Sequence, residues 1–286
     1  MSRLDTPDDL SPTPDYSTLR PEMHGMVNIG IRAARRAGEV MIRQWNQLDA
    51  LQITDKGRHD YVTQVDLMAE EAIIDVIRDH YPDHAILAEE RGAEGEHEFT
   101  WIIDPLDGTT NYLHGFPVFA VSIAIMHRNE LQHAVVYDPM RQEIFTATRG
   151  EGAQLDGRRI RVSKRQQLSG SLIATGFPFR GNLVYVDRYL EMLRAVMIET
   201  SGVRRPGAAA LDLCYVAAGR VDGFWELGLS KWDIAAGALL IREAGGRISD
   251  FRGTDRYLET GHVVAGNPKV YAALSKLLAP HARDIE

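Results

Sequence analysis

At 286 residues, with 44% hydrophobic and 25% charged side chains, the chain has the length and balance of one large globular domain or two coupled ones. A net charge of −8 argues against broad charge-driven binding to nucleic acid or anionic membrane, and no apolar run approaches the roughly 20 residues of a spanning helix. The single cysteine, Cys214, sits in the apolar run 211–218, which fits a reducing compartment and a buried structural thiol, so a cytoplasmic protein is expected.

Residues 1–22 carry four prolines among Ser, Thr and Asp without apolar periodicity and read as a disordered tail, after which Met23 offers an alternative start. From His24 the pattern changes. Val27, Ile31, Ala34, Gly38, Met41, Ile42 and Trp45 follow helical spacing and predict a long amphipathic helix. Leu51 to Val62 reads as a strand or hairpin broken at Lys56-Gly57-Arg58, and Thr63-Gln64-Val65-Asp66 opens a second helix. There Thr63 and Asp66 have the spacing of a capping box. His80 and His84 have the separation of a helical metal pair, but Pro82 ends the helix between them, so they are not read as ligands. Ala85–Ala88 is a predicted strand that delivers Glu89-Glu90, and Arg91–Glu98 is expected to be a mobile loop.

The most informative stretch is Trp101-Ile102-Ile103-Asp104-Pro105-Leu106-Asp107-Gly108-Thr109-Thr110-Asn111. Trp-Ile-Ile reads as a short buried strand running into a loop that places two carboxylates three residues apart around a stiffening proline. Gly108 allows close approach to a ligand, and Thr109-Thr110-Asn111 can start a helix whose free N–H groups face the same spot. Carboxylates collect hard cations and a helix start collects an oxyanion, so such a loop suits a phosphate bridged to metal. Taken alone, two turn-forming aspartates would explain Asp104 and Asp107 as well.

Strands are expected at Val118–Met126, Ala134–Tyr137 and Glu143–Thr148, with Gly150-x-Gly152 a turn and not a nucleotide fingerprint. The basic run Arg158–Arg165 lacks interleaved aromatics and reads as a surface strand with solvated charges. A boundary near residue 155 separates a half at 23–155 from a half at 156–286. In the second half, strands at Ser171–Thr175, Gly202–Arg204 and Gly223–Glu226 alternate with helices at Val186–Ile198, Ala208–Ala218 and Ile234–Ala244, before closing strands. Asp233 is placed as the N-cap of the last of these helices, and Gly245-Gly246 as its left-handed end.

Asp-Pro-x-Asp-Gly-Thr-Thr-Asn behind an apolar strand resembles the signature loop of the inositol monophosphatase family, the lithium-sensitive, magnesium-dependent phosphatases. Trp232-Asp233 before an Ala-rich helix closing in Glu243-Ala244-Gly245-Gly246 resembles the family's second signature. The resemblance runs from about Met23 almost to the C-terminus and is strongest toward the bacterial branch. It implies an α+β layered sandwich, α-β-α-β-α, like that of fructose-1,6-bisphosphatase, with the active site where the halves meet. It further implies a metal shell of Glu89, Asp104, Asp107, Asp233 and the Leu106 carbonyl, holding two or three Mg²⁺ ions. Four converging acids repel one another without a cation, and all-oxygen ligation suits magnesium better than zinc.

The implied substrate contacts are the Gly108 and Thr109 N–H groups for phosphate, with Gly207, Ala209 and Glu226 around a polyol. Asp66, Glu89 and Thr109 are the implied catalytic set: Asp66 fixes the Thr109 hydroxyl, which takes a proton from the attacking water. The expected reaction is hydrolysis of inositol 1-phosphate or a similar phosphate monoester by a homodimer. Pro206, and Thr175-Gly176-Phe177-Pro178-Phe179-Arg180 where relatives with firm inositol selectivity carry small hydroxyl residues, leave the substrate less fixed than the reaction. Two alternatives stay open. One is a related phosphatase for fructose 1,6-bisphosphate or a 3′-phosphonucleotide. The other is a transcription antitermination role with Nus factors, as in some bacterial relatives.

Overall fold

The computed structural model describes residues 25–45, 53–57, 60–178, 180–283 and 285, so the tail expected at residues 1–22 lies outside it. The first helix, α1 (Gly25–Trp45), buries Val27, Ile31, Ala34, Gly38 and Met41 on the face marked by helical spacing. A hairpin follows, β1 (Ile53–Gly57) paired antiparallel with β2 (Asp60–Thr63), and leads directly into α2 (Gln64–Arg78). The capping box is present. Thr63 Oγ1 accepts the Val65 and Asp66 N–H groups, and Asp66 Oδ2 accepts the Thr63 N–H at 2.8 Å.

Next come β3 (Ala85–Ala88), β4 (Gly92–Glu94), β5 (Phe99–Asp107), the single-turn helix α3 (Thr109–Leu113), β6 (Ala120–His127), β7 (Glu130–Asp138), β8 (Glu143–Thr148), β9 (Gly152–Leu155) and β10 (Arg158–Arg159). These strands form an eight-stranded sheet in the order β10-β9-β8-β7-β6-β5-β3-β4, antiparallel except where β3 runs parallel to β5. The chain continues through β11 (Leu172–Thr175), α4 (Val186–Glu199), β12 (Gly202–Arg204), α5 (Ala209–Ala217), β13 (Gly223–Glu226), α6 (Lys231–Glu243), β14 (Arg247–Ser249), α7 (Tyr257–Thr260), β15 (Val263–Gly266) and α8 (Pro268–Leu278). Their strands make a five-stranded sheet in the order β12-β11-β13-β15-β14.

Side-chain alternation along the strands builds the layers. Trp101 and Ile103 of β5 face α1 and α2, whereas Ile102 faces α5 and α6. In the smaller sheet, Ala174, Phe224 and Ala265 meet α5 and α6 from the other side, whereas Ile173, Trp225 and Val264 pack against α4 and α8. The result is helix pair, large sheet, helix pair, small sheet, helix pair: the α-β-α-β-α sandwich expected from the resemblance. The central helices α5 and α6 are apolar nearly all round because both their faces meet a sheet.

Five local expectations are corrected. The mobile loop expected at 91–98 contains β4, an edge strand with Leu87 opposite Ala93. The loop expected at Asp104-Pro105 is strand: β5 continues to Asp107 through a bulge, where Asp104 pairs with Ser122 and Asp107 with Ala120. Pro105 is tolerated there because a bulge frees its position from the ladder. Only Arg158–Arg159 of the basic run is strand, although Ile160 and Val162 do pack against the core. Asp233 is not the N-cap of α6 but its third residue, with Ser230 as the cap. The closing strands are followed by α8, whose start is capped by Asn267 with Pro268 in its first turn.

Candidate active site

A cleft of about 510 Å³ opens between the two sheets and is lined by β5, α3 and the starts of α5 and α6. Each wall places its acids through an ordinary local device. The β5 bulge turns Asp104 and Asp107 to the same side, and the Leu106 N–H donates to Asp104 Oδ1 at 3.0 Å. At α6, Asp233 closes a capping box by accepting the Ser230 N–H at 2.7 Å. Asp104, Asp107 and Asp233 thereby converge, with one carboxylate oxygen from each lying within 4.8 Å of the others. Glu89, on the turn after β3, stands outside that triad but lines the same cleft.

Burial and mutual repulsion push these acids upward. Asp104 is raised well above its ordinary value, first by desolvation and then by Glu89, Asp107 and Asp233. Asp107 is pushed up to about 8 by burial and Asp233, against the N–H groups of Ala209 and Ala210. Those donors have a clear origin. The N-cap of α5 is Ala208, whose methyl group cannot accept a hydrogen bond, and Asp107 supplies the missing acceptor at 2.7 Å from the Ala210 nitrogen. A cluster of oxygen donors that resists ionisation when bare is a fitting site for a hard divalent cation, which replaces the protons.

The turn into α3 explains Gly108. Its φ is +93°, and a Cβ there would lie 2.9 Å from the Val118 carbonyl oxygen. The Thr109 hydroxyl donates toward Asp66 Oδ1 and the Leu106 carbonyl oxygen, each at 3.1 Å. Asp66 is itself buried, which pushes it up to about 6 despite its hydrogen bonds to Thr63 and Thr109.

Glu226 ends β13 inside the cleft, raised well above its ordinary value by burial and by Asp233, while Arg205 works in the opposite direction. Gly207 and Ala209 line the cleft nearby. Sequence reasoning missed three contributors. Gly176 must lack a side chain, because a Cβ would fall 1.9 Å from Glu226 Oε1. Asn111 clips α3 to the next segment by donating to the Val118 and Pro206 carbonyl oxygens at 2.8 and 2.9 Å. Arg205 lines the cleft with its guanidinium 4.9 Å from the Phe177 ring centre. No spacing marks these, because Gly176 meets Glu226, Asn111 meets Pro206 and Arg205 meets Phe177 only in the folded chain. His114 also lines the cleft. His80 and His84 lie elsewhere: His80 meets Arg32, and His84 accepts the Trp101 indole N–H and stacks on Phe99.

Five alternating layers thus enclose an acid-lined cleft between the sheets, the architecture that the resemblance implies. The chain belongs to the inositol monophosphatase family, whose model matches residues 22–286. It is 56% identical over 264 residues to the Nus factor SuhB of Pseudomonas aeruginosa, covering 91% of this chain and 97% of that one. The crystal structure of the extragenic suppressor protein SuhB from Bartonella henselae superposes with a TM-score of 0.87 at 44% identity, over 89% of this chain and 98% of that one. An inositol monophosphatase from Anabaena gives 0.78 at 39% identity, over 89% and 95%. Among the described residues no helix is long and apolar enough to cross a membrane.

Proposed function

We propose that this chain is a cytoplasmic, magnesium-dependent phosphomonoesterase acting on inositol 1-phosphate or a similar polyol phosphate. The observation that carries the reading is the convergence of Asp104, Asp107 and Asp233 in one cleft with Glu226 and the Gly108–Thr109 turn. Glu89, the three aspartates and the Leu106 carbonyl would hold two or three ions. When bound, magnesium supplies charge neutralisation for the phosphoryl oxygens and acidifies the water that attacks.

The chain's own residues do the rest. The free N–H groups of Gly108 and Thr109 bind the phosphate oxygens. Asp66 is ionised above about pH 6 and accepts the Thr109 hydroxyl proton as that hydroxyl takes one from the attacking water. Glu89 assists from the acidic wall. Glu226 reads hydroxyl groups of the alcohol part, with Gly207 and Ala209 leaving room for its ring. We read the halves 23–155 and 156–286 as meeting at this site, and the protein as a homodimer for which exposed Leu190, Met197 and Ile198 on α4 offer an apolar face.

The test is a panel of inositol, glycerol, sugar and nucleotide phosphates with Mg²⁺, in the presence and absence of millimolar lithium. Turnover of polyol monophosphates with lithium inhibition is expected, whereas preference for bisphosphates or 3′-phosphonucleotides moves the chain to another branch of the superfamily. A second reading is favoured by the 56% identity to a Nus factor. It makes the chain a component of the transcription machinery, through protein contacts and not through direct nucleic-acid binding. Capture of purified Nus factors with no turnover on any panel member would establish that role as the main one.

A further inference from the structure

Glu70 is a fully buried carboxylate one helical turn after Asp66 on α2, and neither signature includes it. Its Oε2 accepts the Glu90 N–H at 2.9 Å. The Arg91 N–H also faces it, and Arg91 Nε lies 3.6 Å from Oε1. A buried acid with so little exposed cationic compensation is costly to keep, and its desolvation raises its pKa. Its contacts concentrate on one object, the Glu89-Glu90-Arg91 turn that leaves β3. That turn is otherwise held at Glu89, whose N–H donates to the Ile103 carbonyl oxygen at 3.1 Å.

Asp66 and Glu70 are four residues apart and so share one face of α2. The first reaches Thr109 after β5, and the second reaches the turn after β3. One helix face thus grips both loops that carry acids on the large-sheet side of the cleft. We propose that Glu70 is a positioning residue that fixes Glu89 toward the cation site by clamping the backbone of the next two residues. The proposal rests on the metal-dependent reading of the cleft. Partners that orient ligating groups without touching the ion commonly change metal affinity by about 10–100-fold when removed. Glu70→Gln retains the shape but leaves one acceptor where two N–H donors face the carboxylate.

The experiment is a Mg²⁺ titration by calorimetry on wild type, Glu70→Gln and Glu71→Gln, with thermal melts in chelator and with kcat at saturating Mg²⁺. Glu71 lies on the exposed flank of the same helix and is the control, with affinity expected unchanged. Glu70→Gln is expected to weaken Mg²⁺ binding about 10–100-fold, while kcat at saturating Mg²⁺ returns to within a few-fold of wild type. A Glu70→Gln protein that binds Mg²⁺ within twofold of wild type overturns the proposal, even when its melting temperature drops. Should Glu70→Gln not fold, Glu70→Asp draws the same charge back by one methylene, and the same weakening is expected. Wild type that fails to bind Mg²⁺ sinks the metal-dependent reading itself, which is a different result from equal binding by both proteins.

Discussion

Helices α2 and α6 open on the same device, a hydroxyl residue at the cap and an aspartate as third residue: Thr63 with Asp66, Ser230 with Asp233. In both, one carboxylate oxygen accepts the cap N–H, at 2.8 and 2.7 Å. The other oxygen separates them. That of Asp66 meets the Thr109 hydroxyl, whereas Asp233 turns toward two further carboxylates. The local motif decides where a helix begins, and the neighbour of the second oxygen decides what chemistry the acid enters.

The sharpest way to break this contrast is to remove the charge on the acidic wall. Asp104→Asn keeps size and hydrogen bonding, so turnover is expected to fall by at least about 100-fold with the fold intact by circular dichroism. Wild-type turnover in excess chelator would end the metal reading. Asp66→Asn and Thr109→Ala each should lose on the order of 100-fold in kcat, and the double mutant little more, as for groups acting as one unit. If kcat stays within a few-fold while the melting temperature drops, capping is the whole role of Asp66.

Smaller effects sharpen the comparison. Glu226→Gln should cost about tenfold in preference for inositol phosphate over simpler phosphates, with Mg²⁺ affinity unchanged. A collapse of Mg²⁺ affinity would move Glu226 into the metal shell. The folded pKa of Asp66, about 6, lies above its ordinary 3.8. Its protonation therefore favours the folded state at low pH, and that advantage is lost as pH rises from about 4 to 6. In chelator, wild type should lose stability relative to Asp66→Asn across this window, on the order of 3 kcal/mol, measured by urea unfolding. A flat difference would show that Asp66 is not strained by burial. Ser230→Ala should do least, about 0.5–2 kcal/mol of stability with kcat retained.

Much of this was legible because it is local. Helical spacing over 27–45 marked α1, Thr63 and Asp66 marked the start of α2, and Gly245, at φ +85°, ends α6 as expected. The layers and family were legible through two signatures of restrictive composition. What stayed hidden depends on contacts across the fold. The β5 bulge arises from register against β6, β4 from pairing with β3, and the need for Gly176 from a carboxylate 50 positions away. Helix α8 did carry a signal, Asn267 before Pro268, that the closing-strand reading passed over.

Asp107 caps a helix whose first N–H groups come about a hundred residues later in the chain. An intermediate with only the large sheet formed would hold Glu89, Asp104, the Leu106 carbonyl and Asp107 but lack both that anchor and Asp233. The proposed cation therefore finds its full set of ligands only when α6 has docked and both sheets have closed on α5 and α6. By mass action it favours that completed state to the extent that Asp233 tightens its binding, about 1.4 kcal/mol for each tenfold gain in affinity. The ion then acts as a checkpoint on assembly, and its uptake during refolding would time the last docking event of the chain.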